Sequence, residues 1–364
     1  MKVLLVGNGA REHAIAWKIM QDDPSLELLC APGNPGIAEL GDLIPVKSDD
    51  VRGLLGFANR AEIDLTIVGP EVPLSLGIVD AFRNSGRAIF GPTMAAAEIE
   101  TSKRFAKSLM LSAGIPTATA THHTSAAGAL GAIAAMGTPA VIKASGLAAG
   151  KGVVIARSSE EAERAIYMMI EDRAFGDAGS EILVEEFMEG EELSLFVLTD
   201  GTNALPMIAA QDHKRLLDGD AGPNTGGMGA YTPVSSASRS VIDASMDTII
   251  EPTLTALRNA GRPFTGLLYA GLMLTETGPR VVEFNCRFGD PETEAILPMM
   301  KSSLLEPLLA IARSESLAGA SSLEWAPGAA VTTVLAAHGY PDSVRSGDSI
   351  HLPAPPDGLH VFHA

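Results

Sequence analysis

The densest run of chemically able side chains is Val281-Val282-Glu283-Phe284-Asn285-Cys286-Arg287-Phe288-Gly289-Asp290-Pro291-Glu292. Its apolar, β-branched start predicts a buried strand, and strand side chains alternate faces with period two. Glu283, Asn285 and Arg287 then share one face. A carboxylate beside an amide oxygen offers hard ligands suited to Mg²⁺, and the guanidinium beyond them is free to hold an anion. That is the metal end of a phosphoryl-transfer site. A surface strand with alternating polar residues is the simpler account of an isolated Glu-x-Asn, but two further phosphate-handling stretches lie upstream.

The first is Ala140-Val141-Ile142-Lys143, a strand carrying a lysine, followed by the loop Ala144 to Gly152 and a second strand, Val153 to Ala156. A P-loop needs four residues between its glycines, Ser or Thr after the lysine, and a helix next. Here three residues separate Gly146 from Gly150, Gly152 follows Lys151, and a strand follows that. The stretch therefore reads as a glycine loop between antiparallel strands, able to fold over a triphosphate while Lys143 and Lys151 contact it. Ser102 is placed to cap a helix that presents Lys103 to the same region. Further on, Ile182 to Met188 is a strand whose junction offers free backbone groups beside Phe187, suited to a purine ring. Glu192, seven residues after Glu185, can accept from ribose hydroxyls.

The second is the chain start. Val3 to Val6, then Gly7-Asn8-Gly9-Ala10-Arg11-Glu12-His13 and an amphipathic helix, make a strand, a glycine turn and a helix start that can receive a phosphate. A dinucleotide fingerprint fails here, because Glu12 stands where the third glycine belongs and the strand Glu27 to Cys30 ends without a ribose-binding acid. A phosphate or phosphoribosyl group at this helix end is the better reading. Strands 65–68 and 88–90 end in Gly69-Pro70-Glu71 and Gly91-Pro92-Thr93; a parallel sheet puts such turns and Gly33-Asn34 around one crevice. Gln211-Asp212-His213-Lys214-Arg215 and the glycine-rich 222–229 stretch bring dense donors together, suited to a small zwitterion or a phosphate. His213 has no second His or Cys at ligand spacing, so a hydrogen-bonding role is expected.

The elements that carry these residues fit a chain of 364 residues with two or three domains. A formal net charge of -18 argues against nucleic acid or an anionic membrane as partner, so an anionic substrate must be held by local cations and N–H groups. Cys30 and Cys286 are the only cysteines, which excludes a disulfide framework and points to core thiols in a cytoplasmic protein. No apolar run reaches membrane-spanning length, and because glycines and the charges at Arg11 to His13 arrive so soon, a signal peptide is not expected. No nucleophile-base-orienter set is visible, so a covalent enzyme intermediate is not expected.

Together the stretches GNGAREHA (7–14), IVGPEVPL (67–74), KASGLAAGKGV (143–153), QDHKR (211–215), GPNTGGMGAY (222–231) and EFNCRFGDPE (283–292) resemble the ATP-grasp superfamily and, within it, the phosphoribosylamine-glycine ligase family. The resemblance implies an α/β and α+β multidomain fold, an ATP-grasp core with an N-terminal doubly wound parallel-sheet domain. The expected boundaries are 1–100, 101–323 with a lid at about 118–187, and 324–364. It implies that Lys103, Lys143, Gly146, Gly150, Lys151 and Gly152 hold ATP phosphates, Glu185, Glu186 and Phe187 the adenine, and Glu192 the ribose. Glu283 and Asn285 would bind Mg²⁺ or Mn²⁺. Asp212, His213, Lys214, Pro223, Asn224, Thr225, Gly226 and Arg287 would form the acceptor region, with Gly9, Glu12 and Glu71 on the 5-phosphoribosylamine side. The implied partners are glycine and 5-phosphoribosylamine, in a monomer or weak oligomer. The implied reaction joins them through glycyl phosphate, with Arg287 and Lys151 stabilising charge.

The chain departs from the family pattern at Ser145, where Asp is usual, at Ala10, where Gly is usual, and at Glu294, where Gln is common. Glu294 is expected to add negative charge near the metal. The strand 268–274 carries no acid, so one metal is assigned. The family pattern continues past Ala364 through a C-terminal domain, and residues 324–364 are expected to be its shortened start.

Overall fold

A computed structural model describes residues 1–148, 152–219, 221–352 and 354–364. The chain opens with alternating strands and helices: β1 (Lys2–Gly7), α1 (Ala10–Asp22), β2 (Glu27–Pro32), β3 (Asp42–Leu43), α2 (Val51–Ala61), β4 (Leu65–Val68), α3 (Glu71–Ser75), α4 (Ile78–Asn84) and β5 (Ile89–Phe90). The strands form one parallel sheet in the order β3-β2-β1-β4-β5. Its central strand shows why both faces must be covered. Val3 and Leu5 pack with Ile15 and Ile19 of α1, while Leu4 and Val6 pack with Leu54 of α2 and Phe82 of α4. The alternation at β1 is thus the period-two pattern with two apolar sets, and the sheet is doubly wound.

Two capped helices lead out of this unit: α5 (Met94–Thr101), whose first turn Thr93 caps, and α6 (Lys103–Ser112), capped by Ser102 Oγ on the Phe105 N–H at 3.2 Å. Next come β6 (Ala120–His123), α7 (Ala126–Met136), β7 (Ala140–Ala144), β8 (Val153–Ala156), α8 (Ser159–Ile170) and β9 (Ile182–Glu186). These strands form an antiparallel sheet, β6-β9-β7-β8, with its own core of Ile142, Ala156, Val184, Ile133 and Ile166. The expected pair of antiparallel strands flanking the glycine loop is β7 and β8.

The central sheet begins with β10 (Glu191–Thr199) and β11 (Ala204–Pro206). The short strands β12 (Gln211–Asp212), β13 (Arg215–Leu217), β14 (Ala221–Asn224) and β15 (Gly229–Thr232) follow, then α9 (Arg239–Ser245) and α10 (Glu251–Asn259). The sheet closes with β16 (Gly266–Thr275) and β17 (Gly278–Asn285), in the order β11-β10-β16-β17. The helices α11 (Glu292–Met299) and α12 (Leu305–Ala312) then carry the chain back to the first sheet, where Leu308 and Ile311 join the Val3/Leu5 face. A last strand, β18 (Ala330–Thr333), pairs with β15, and residues 360–363 return to α1, where the His363 N–H donates to His13 Nδ1 at 2.9 Å. Among the described residues no helix is long and apolar enough to cross a membrane.

One buried pair fastens the first sheet to the last helix. Asp22 accepts from the N–H groups of Leu304 and Leu305 at 2.7 and 3.1 Å and pairs with Lys18, both side chains nearly excluded from water. Asp22→Ala leaves that ammonium buried and unpaired, so urea unfolding should show a loss of about 3–5 kcal/mol. A loss under 1 kcal/mol would mean the contact is dispensable.

Candidate active site

The strand expected to hold the metal, β17, is longer than its apolar core suggested and stops at Asn285, so Arg287 lies just beyond it. A register shift against β16 at Gly271/Leu272 sets Glu283 opposite Gly271 and Asn285 opposite Tyr269. The three side chains still converge, because Arg287 Nη2 turns back to within 3.4 Å of Asn285 Oδ1. Among the described residues, Glu283 has no hydrogen bond or ion pair. Burial alone would raise its pKa, but Lys214, Lys143, Lys103 and Arg287 hold it below the usual carboxylate range. An ionised carboxylate without a fixed partner, next to an amide oxygen, is a donor set that fits a hard divalent cation whose remaining ligands come from phosphates and water.

The side expected to hold the nucleotide is organised by one buried carboxylate. Glu185, 2 % exposed, accepts from Lys107 at 3.0 Å and Lys143 at 2.9 Å. Lys143 also donates to the Val282 carbonyl at 2.9 Å, which ties β7 to the metal strand. Burial opposes ionisation of Glu185, and the two ammonium groups more than reverse it. With the carboxylate of Glu185 held by these lysines, the adenine contact expected there would have to come from its backbone. The Glu186 side chain is likewise engaged, pairing with Arg280 and taking the Thr119 N–H. Phe187 lies in the half-buried linker between β9 and β10. Lys103 Nζ reaches the Gly146 carbonyl at 3.3 Å, and its pKa is lowered by burial despite Glu283 nearby. Ser145 fixes this loop to α6 by accepting the Arg104 N–H at 3.2 Å, and the Gly152 carbonyl accepts from the Ala144 N–H. Gly150 and Lys151 lie outside the described residues.

The acceptor stretches pack as β12 to β15. The Thr225 N–H and Oγ1 both donate to the Lys214 carbonyl, at 2.7 and 2.9 Å, and the Gly226 N–H donates to Tyr340. Pro223 and Asn224 end β14, with Asn224 opposite Arg215. Lys214 bridges Glu192 at 3.1 Å and Asp212 at 3.9 Å, so Glu192 already has a cationic partner. Burial works against the Lys214 charge, yet Asp212, Glu192 and Glu283 keep its pKa above normal. Burial pushes Asp212 up to about 7 against the pull of Lys214, with Glu292, Glu192 and Glu283 adding to the rise. The exposed ring of His213 stacks on Tyr231 at 6.0 Å, and among the described residues its side chain has no hydrogen bond.

Facing Arg287 from the first sheet is Glu71, at 3.4 Å, while Glu100 of α5 takes the other side, also at 3.4 Å. The glycine turn differs from a phosphate seat. The Gly9 N–H donates to Glu12 at 2.7 Å, and a Cβ on Gly7 or Gly69 would strike that side chain at 2.6 or 2.1 Å. The helix end is therefore capped from within by Glu12, which is why no third glycine stands there. Asn34 rims this turn through the Asn8 carbonyl, whereas Gly91 packs against Gly266 at the start of β16 instead of joining the crevice. Glu294 faces Asp290 and Arg11, not the metal pair. Sequence reasoning missed Lys107, Glu100, Arg11 and the buried trio Ser194, Tyr269 and Glu292, joined at 2.6–3.0 Å. Lys107 had a signal: it stands four residues after Lys103, on the same helix face.

Residues 1–100 match the family profile described as Phosphoribosylglycinamide synthetase, N domain, and residues 101–293 match Phosphoribosylglycinamide synthetase, ATP-grasp (A) domain. A phosphoribosylamine-glycine ligase of Yersinia pestis is 49% identical over 370 residues, covering 100% of this chain and 86% of that protein. The crystal structure of the phosphoribosylamine-glycine ligase of Thermotoga maritima superposes with a TM-score of 0.84 at 33% identity, over 98% of this chain and 85% of that one. A biotin carboxylase domain from Hydrogenobacter thermophilus, in complex with MgADP, shares the fold at a TM-score of 0.72 and 16% identity, over 91% of this chain and 73% of that one.

Glu185→Gln should separate the clamp from the rest of the site. The native pKa of Glu185 is depressed, so its contribution is present above its unfolded value of about 4.3 and is lost as pH falls from there. The variant should lose about 3 kcal/mol at neutral pH and show a flatter acid branch of stability against pH. An acid branch as steep as the wild type's would contradict the clamp.

Proposed function

The chain belongs to the phosphoribosylglycinamide synthetase family, and from that premise we propose that it joins glycine to 5-phosphoribosylamine with ATP, through glycyl phosphate, as a step of purine biosynthesis in the cytoplasm. The observation that carries the reading is the free, ionised Glu283 beside Asn285, with Lys103, Lys143, Lys214 and Arg287 around it. ATP lies with its phosphates along Lys103, Lys143 and the 146–152 loop. The sheet of residues 120–186 acts as the lid, and Phe187 and Glu192 contact the nucleoside. Domain boundaries at 1–100, 101–323 and 324–364 follow from this division of labour.

Glu283 and Asn285 would hold the divalent cation, which supplies charge neutralisation at the phosphates when bound. The residues of the chain do the rest by position and charge. Asp212 and Lys214, with the 223–226 turn, seat glycine so that its carboxylate faces the γ-phosphate. Arg287 stands over the reacting carboxylate. Its ion pairs with Glu71 and Glu100 fix the guanidinium at the junction with the first sheet, where Gly9, Glu12 and Glu71 face phosphoribosylamine. Closure of the lid keeps water from glycyl phosphate.

An ADP-release assay with glycine and phosphoribosylamine, each omitted in turn, tests this reading. ADP should accumulate over many turnovers only when glycine is present together with an amine acceptor, and Glu283→Ala should lower turnover at least ~100-fold. ADP formed equally well with other carboxylates, or full turnover in Glu283→Ala, would refute it.

A further inference from the structure

The first sheet and the metal strand meet at a seam where Arg11 and Arg287 both donate to the Phe288 carbonyl, each at 3.1 Å. Two carboxyl groups at this seam have no part in the reaction described so far. Asp290 is open to solvent, and its Oδ2 lies 3.6 Å from the place a Cβ on Gly9 would take. Glu294, one helical turn on in α11, is 6 % exposed, and among the described residues neither of its oxygens has a hydrogen-bond partner. The charged groups facing the pair are Arg11 and Glu12 from α1, and Arg287 and Glu292 from the pair's own segment.

Burial first, and then Asp290, push Glu294 well above the ordinary carboxyl range. Asp290 is exposed as a residue, yet partial loss of water around its carboxyl, with Glu12 and Glu292, raises it against the pull of Arg11 and Arg287. Asp290 ionises ahead of its neighbour, because it reaches water and faces Arg11 more strongly. Two carboxyls with separated ionisation suit two roles, an open base and a neutral acid behind it.

Resting on the ligase reading, we propose that Asp290 accepts the proton released when the amine of phosphoribosylamine attacks glycyl phosphate, with Glu294 behind it as a neutral positioning acid. The amine lone pair forms the C–N bond to the acyl carbon, the C–O bond to phosphate breaks, and its electron pair leaves with phosphate. The surplus N–H proton passes to the Asp290 carboxylate. The site lies between the Gly9 turn and Arg287, where the two substrates must meet. Asp290 works above its own pKa and Glu294 below its own, so the amide-forming step has an acid limb from the first and an alkaline limb from the second.

The test separates the two half-reactions. Hydroxylamine, given with glycine and ATP, captures glycyl phosphate as the hydroxamate without using the phosphoribosylamine site. Asp290→Asn should lower the ratio of amide to hydroxamate about 100-fold, the span of general-base catalysis. A ratio equal to the wild type's overturns the proposal, as does an equal loss of both products. Glu294→Gln cannot ionise, so it should abolish the alkaline limb of the amide-forming rate; an unchanged pH profile overturns the role of Glu294. No hydroxamate from the wild-type enzyme would overturn the ligase reading itself, and the proposal with it.

Discussion

A single carboxylate, Glu283, is the point around which the charges of the candidate site are arranged. In a chain of net charge -18, cations are scarce, yet four of them surround this one strand position. Each comes from a different part of the fold: Lys103 from the start of α6, Lys143 from β7, Lys214 from the turn after β12 and Arg287 from just beyond β17. Gathering like charges in one place is unfavourable unless anions balance them. Glu185, Glu192, Glu71 and Glu100 provide that balance at the outer positions, leaving Glu283 uncommitted in the middle.

The same arrangement explains how three sheets can share one site. The 120–186 sheet is tied to the central sheet by Lys143 on the Val282 carbonyl, and the chain entering it by Thr117 on the Val281 carbonyl, both acceptors lying on β17. The first sheet is tied to it by Arg287 and Glu71, and by Arg11 on Phe288. Contacts made at the site therefore also fix the domains, and a shift of β17 by one residue would turn Glu283 and Asn285 away from all of them.

Much of this was legible in the sequence where spacing is local. The Glu283-x-Asn285 pair, the strands flanking the glycine loop and the Ser102 cap all follow from period-two or helical geometry. What spacing does not carry is the partner of a charge. Glu185 looked available to a nucleotide, but two lysines from separate elements claim it, and only tertiary packing brings Lys107 and Lys143 to one point. Glu12 posed the converse problem. Its place in a glycine motif suggested an open helix end, while Gly7 and Gly69, distant in sequence, leave room for its carboxylate to fill that end.

The central claim is that a divalent cation at Glu283 and Asn285 joins a nucleotide lying beneath the lid. The most direct test is anomalous diffraction from a crystal grown with Mn²⁺ and a non-hydrolysable ATP analogue. The account predicts a manganese peak about 2 Å from a carboxylate oxygen of Glu283 and from Asn285 Oδ1, bridged to the phosphates. A peak at other side chains, with these two oxygens unliganded, would contradict it.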